Sequence, residues 1–182
     1  MDYRAPVREM RFVLDSICDW QSLARGGAFA DLSEDLLDAI LGEAAKFAQG
    51  VFGPLNAIGD REGAVLADGQ VRLPDGFKDA YRQYVEAGWN CVSAPARFGG
   101  QDLPFMVQIA LHEAMTSANM AFSLCPTLTQ GAIEALLAHG SPEQQTVYLP
   151  NLVSGKWSGT MNLTEPQAGS DVGALKTKAE SL

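Results

Sequence analysis

Between Phe105 and Met115 the apolar residues Phe105, Met106, Val107, Ile109, Ala110, Leu111, Ala114 and Met115 cover nearly every side of one helix, started by Pro104. A helix with so little polar face is stable only when other elements wrap it, so this segment is expected to be the buried centre of the fold. The chain supplies its neighbours in kind. Val7, Met10, Leu14 and Ile17 recur at helical spacing behind Pro6 until Arg25-Gly26-Gly27, which predicts one amphipathic helix. Ser33 is a good N-cap, with Glu34 and Asp35 favourable at the positive helix end, and Leu37, Ile40, Leu41, Ala44, Phe47, Ala48 and Val51 share one face up to Gly53-Pro54, which should end or bend the helix. Phe77, Ala80, Tyr81, Tyr84 and Val85 form another face, stopped by Gly88. Leu128, Ala132, Ile133, Leu136 and Leu137 mark a further helix ending at His139-Gly140. Ser141 and Gln144 then read as a capping box with Pro142 at N1, before Tyr148, Leu149 and Leu152; Pro150 should shorten or kink this last helix and Ser154-Gly155 end it. The fold class is all-α, a helical bundle.

Little else has regular pattern. Residues 64–73 are expected to make a small hairpin about Asp68-Gly69, and residues 94–100 a loop. From Trp157 to Thr164 the pattern becomes extended, so residues 1–157 read as a helical domain and 158–182 as the beginning of a β-domain. At 182 residues the chain has room for a sizeable core, burying about 70% of its extended-chain surface. The net charge of −9 argues against nucleic acid or an anionic membrane as partner. Cys18, Cys91 and Cys125 are odd in number and far apart, which fits neither a disulfide framework nor a thiolate metal site and suits a reduced, cytoplasmic setting. No apolar run approaches the about 18 residues of a membrane span, and charges at Asp2, Arg4, Arg8, Glu9 and Arg11 interrupt any signal-peptide core.

The segment with most chemical content is Thr164-Glu165-Pro166-Gln167-Ala168-Gly169-Ser170-Asp171. Pro166 restricts Glu165, Gly169 permits backbone geometry that a side chain would block, and Thr164, Ser170 and Asp171 set hydroxyls and a carboxylate around the turn. Such a loop can cradle a polar or anionic ligand; it can equally be an ordinary turn. Elsewhere the motifs are poor. His112-Glu113 lacks the second histidine of a zinc-protease helix, so no metal site is expected. Glu113, on an otherwise apolar helix, either faces solvent or lines a functional cavity. Met115, Met120 and Phe122 either border an acyl tunnel or are simple core. There is no nucleophile elbow, Rossmann glycine motif or P-loop.

Residues 161–174, together with Asp75-Gly76-Phe77-Lys78, Ala87-Gly88-Trp89, Phe98-Gly99-Gly100-Gln101 and Leu103-Pro104 in that order, closely resemble the N-terminal part of the acyl-CoA dehydrogenase family. Residues 3–12 resemble the extra N-terminal helix of a longer subgroup that includes methylmercaptopropionyl-CoA dehydrogenases. The resemblance implies an FAD-dependent enzyme that introduces a double bond between Cα and Cβ of an acyl-CoA thioester and passes electrons to an electron-transfer flavoprotein, or to oxygen in oxidase relatives. It assigns Met161, Asn162, Leu163 and Thr164 to the flavin, Gly169 and Ser170 to the cofactor's phosphate-bearing arm, and Ser170, Glu113 and Met115 to the substrate. Asn162, Gln167 and Met161 depart from the residues usual in the pattern, which bears on fine tuning of the flavin and on substrate length. The resemblance also implies that the β-domain covering the flavin and the helices carrying the catalytic glutamate are not within these residues, so no catalytic residue is assigned. The chain is expected to be an incomplete, inactive part of such an enzyme, and a homo-oligomer through apolar surface left open. The competing reading is a free-standing helical module that binds acyl-CoA or a partner without catalysis.

Overall fold

The structure is a computed structural model and describes residues 3–27, 29 and 31–180. Residues 181 and 182, included in the expected second segment, lie outside the described residues. Eight α-helices are present among the described residues: α1 Val7–Ser16, α2 Trp20–Arg25, α3 Glu34–Phe47, α4 Gly53–Glu62, α5 Phe77–Glu86, α6 Phe105–Ala118, α7 Met120–His139 and α8 Pro142–Val153. The expected hairpin is there, with β1 Val65–Ala67 antiparallel to β2 Gln70–Arg72. Asp68 and Gly69 both have positive φ, 53° and 74°, the pairing a two-residue primed turn requires.

Helix α6 is central, as its composition demands. Val107, Ala110 and Leu111 join Leu14, Trp20, Leu37 and Leu41 in one core, while Ala114, Met115 and Ala118 join Ala48, Phe52, Tyr84 and Phe122 in a second. A third core unites α7 and α8 through Ile133, Leu149, Leu152 and Val153. One strip of α6 nevertheless stays open: Phe105 is 50% and Ile109 49% exposed.

The structure revises or narrows several expectations. The single N-terminal helix is two, because Ile17 is 70% exposed and Asp19 turns left-handed at φ 47°. That turn costs about 1 kcal/mol, but it buries the Trp20 ring, a gain of about 4 kcal/mol at usual area coefficients. Trp20 Nε1 donates to Asp15 Oδ1 at 2.7 Å. Gly53-Pro54 does not end the second helix. The chain instead takes one wide π turn, Ala48–Phe52, in which Gly53 N–H donates to Ala48 C=O, and Pro54, having no N–H to place, enters the first turn of α4. Helix α7 begins eight residues before Leu128, capped by Asn119, whose Oδ1 accepts from Phe122 N–H at 3.0 Å. Helix α8 runs three residues beyond Pro150 and is not shortened by it, although its capping box and its end at Ser154-Gly155 are as expected. Tyr148, read as part of its apolar face, is 47% exposed beside Trp157.

Candidate functional site

After α8 the chain crosses the outside of α7. Gly159 N–H donates to Thr129 Oγ1 at 3.1 Å, and a Cβ at Gly159 would lie 2.6 Å from Ala132 Cβ, so only glycine permits this close approach. From there to Thr164 the chain is irregular; no ladder partner pairs it among the described residues, so the expected strand is not formed. Met161 is 62% and Leu163 42% exposed, and Asn162 and Thr164 are exposed too.

The signature itself is a tight turn. Glu165 N–H donates to Ala168 C=O at 2.9 Å and Ala168 N–H returns the bond at 3.1 Å, with Ala168 buried beneath. Beyond it Gly169 and Ser170 stand in solvent, a short 3₁₀ turn Val172–Ala174 follows, and the irregular residues after it come back to Glu165. There the carboxylate accepts from Thr177 N–H at Oε1, 2.8 Å, and from Lys176 N–H at Oε2, 3.0 Å, while the Gln167 amide also donates to Oε2. These donors, the Thr177 side chain foremost and the two backbone N–H groups next, hold the Glu165 carboxyl down at about 2. An acid so committed to amides is a clamp and not a proton-transfer group. Among the described residues, the N–H groups of Met161, Asn162, Leu163, Gly169 and Ser170 have no protein acceptor. The N–H groups of Thr164, Gln167 and Asp171, also exposed residues, are equally without one, so the donors run along both sides of the clamped turn and into it.

Glu113 lies elsewhere. It is exposed on the rim of a trough of about 540 Å³ between α6 and α7, whose walls include Ile109, His112, Thr116, Met120, Leu124 and Thr127. Glu113 therefore meets the solvent alternative, at the edge of a concavity. Burial pushes the His112 imidazole below its ordinary value. Met115 takes the core alternative: it is 2% exposed, packed with Phe52, Tyr84 and Phe122. Phe122 is likewise core but also walls a second, apolar cavity of about 600 Å³ with Phe77, Leu73 and Pro74 under the hairpin. No residue of 161–170 lines the trough, so the chain does not bring Glu113 and Ser170 into one enclosure. Among the described residues, no group of three His, Cys, Asp or Glu side chains is placed to hold a metal ion, and no helix is long and apolar enough to cross a membrane.

The clamp has no mark in the sequence: nothing in the identity of Lys176 and Thr177 announces that their backbone N–H groups are the donors.

Comparison with known proteins places the chain in a family. The family model described as acyl-CoA dehydrogenase, N-terminal domain, matches residues 37–156. The chain is 45% identical over 179 residues to the 3-methylmercaptopropionyl-CoA dehydrogenase of Ruegeria pomeroyi, covering 98% of this chain and 30% of that protein. It is 34% identical over 180 residues to the broad-specificity linear acyl-CoA dehydrogenase FadE5 of Mycobacterium tuberculosis, covering 97% and 29% respectively. The solved acyl-CoA dehydrogenase of Bacillus anthracis in complex with FAD superposes with TM-score 0.59 at 21% identity, over 82% of this chain and 24% of that one. The chain therefore spans about 30% of the length of the relatives it matches most fully. With the helical core matched by the family model and the flanking segments matched by those relatives, the chain belongs to the acyl-CoA dehydrogenase family, whose N-terminal domain it carries.

Proposed function

We propose that this chain is the N-terminal part of an FAD-dependent enzyme that desaturates acyl-CoA thioesters, with residues 1–157 as the helical domain and 158–182 as the entry to a flavin-covering β-domain. The observation that carries the reading is the row of exposed, acceptor-free N–H groups at 161–163 and 169–170 beside the clamped turn. FAD fits that donor set: its pyrimidine edge carries carbonyl and ring-nitrogen acceptors beside a single N–H donor, and its pyrophosphate carries acceptors only. The backbone of Leu163 and the Thr164 hydroxyl would hold the pyrimidine edge, with Met161 and Asn162 along the ring system. Gly169 and Ser170 would meet the phosphate-bearing arms of cofactor and substrate, where N–H and hydroxyl donors suit anions. Gly169 itself is not at positive φ, and a Cβ there would make only an ordinary 3.7 Å contact with Thr164 Cγ2, so the expected backbone geometry that a side chain would block is not found.

The flavin, when bound, supplies the hydride acceptor that no side chain provides. This chain's part is to bind and orient. Glu113 and Met120 on the open trough are the residues we assign to the acyl portion, and Met115 supports them from the core. No residue here is assigned to proton abstraction. Electron-transfer flavoprotein as acceptor, a cytoplasmic setting consistent with three free cysteines, and self-association belong to the same reading.

Titrating FAD fluorescence with the purified chain tests it. Saturable quenching with weak affinity is expected, with no turnover of an acyl-CoA in the presence of an artificial acceptor. A flat titration overturns the cofactor assignment; measurable turnover overturns the claim that the proton-abstracting group is absent.

A further inference from the structure

We propose that Glu165 is a positioning residue for the phosphate-bearing ligand, closing residues 165–177 into a loop that holds the Gly169 and Ser170 N–H groups in their binding orientation. The proposal rests on the FAD reading above and adds to it a residue that touches no ligand.

The loop has one neck. At its start the Glu165–Ala168 pair of hydrogen bonds fixes four residues, and Ala168, 2% exposed, seats that turn on the protein. At its end Lys176 and Thr177 are exposed, in no regular element, and their recorded backbone bonds go to the Glu165 carboxylate alone. Between the two lies the 3₁₀ turn, held only within itself by Ala174 N–H to Asp171 C=O at 3.1 Å and Leu175 N–H to Val172 C=O at 3.3 Å. Gly169 and Ser170 have no protein acceptor that would orient them. Their direction therefore depends on both ends of the loop being fixed, and the far end is fixed by one side chain. A carboxylate suits the task because each oxygen can take one amide, and charge-assisted bonds of this kind are roughly twice as strong as neutral ones. Glutamine offers one acceptor and puts an NH₂ donor against the other amide. Without the clamp the loop samples many conformations, and a ligand must select the competent fraction, which weakens affinity by that fraction.

The test uses the 182-residue chain in three forms: wild type, Glu165→Gln and Glu165→Asp. Each is followed by ¹H–¹⁵N NMR while FAD is added. In the wild type, FAD should move the Gly169 and Ser170 amide signals. In Glu165→Gln the helical-domain signals and the Tm should stay unchanged, the Lys176 and Thr177 amides should exchange at least tenfold faster, and the FAD dissociation constant should rise at least fivefold. Glu165→Asp keeps the charge but is one methylene shorter. It should hold one amide and give intermediate affinity, which separates reach from charge. Faster exchange at Lys176 and Thr177 with unchanged FAD affinity overturns the positioning role and leaves the cofactor reading intact. Full wild-type affinity in Glu165→Asp with the Thr177 amide released overturns it as well. No movement of Gly169 and Ser170 in the wild type overturns both.

Discussion

Asn119 does two jobs from one nearly sealed position, 1% exposed. Its Oδ1 caps α7 through Phe122 N–H, and its Nδ2 donates to Phe52 C=O at 3.2 Å. Asn119→Ala removes both and leaves buried backbone groups unpaired, so it should cost about 1–3 kcal/mol in urea unfolding. Loss of less than a few tenths would show that water replaces both bonds. Thr164 is the reverse case, exposed and without a fold-stabilising bond. Thr164→Val should leave stability alone and weaken FAD binding by about 0.5–1.5 kcal/mol, the worth of one ordinary hydrogen bond; equal affinities by fluorescence titration remove its proposed role. Glu165 supplies a pH signature. Its folded value of about 2 lies below the ordinary 4.5, so the closed loop is favoured above about pH 4.5 and loses that support as pH falls toward 2. The Lys176 and Thr177 amide shifts should follow that titration at low pH and stay flat from pH 5 to 8. A midpoint near 4.5 would mean the clamp is open in solution.

At the scale of elements, what could be read in advance was whatever depends on neighbours in sequence. The Ser33 cap, the Ser141/Gln144 box, the Asp68-Gly69 turn and the apolar face from Leu37 to Ala44 are local decisions, and each is found as expected. Breaking the box should show its local worth: Ser141→Ala is expected to destabilise by about 0.5–2 kcal/mol, seen as faster amide exchange in the first turn of α8. What escaped depends on distant partners. Trp20 breaks a helix because a core pocket waits for its ring, Pro54 is tolerated because the preceding turn widens, and Pro150 is carried because Leu149, Leu152 and Val153 anchor α8 on α7. The site divides the same way. The signature's residue types were legible, but the return of Lys176 and Thr177 to Glu165 is a backbone contact across the loop and carries no mark in side-chain identity.

Across the whole molecule the apolar surface is uneven. Leu66, Val71, Met120, Met161 and Leu124 are each more than half exposed, whereas Met115 and Phe122 are core. Exposed apolar area of this kind favours association, so light scattering over a dilution series should find a dimer or larger species despite the −9 charge; a monomer at high concentration that binds no ANS would count against it. The π turn at Ala48–Phe52 has a consequence of its own. Its extra residue advances the phase of everything after it by about 100° relative to an unbroken α-helix. Leu37, Leu41 and Ala44 serve one core before it, while Ala48 and Phe52 serve another as the turn is made. The chain thus behaves like a camshaft with one offset lobe: deleting Gly50 would make the rod more regular while pointing α4 the wrong way, and a more ideal helix would yield a less stable protein.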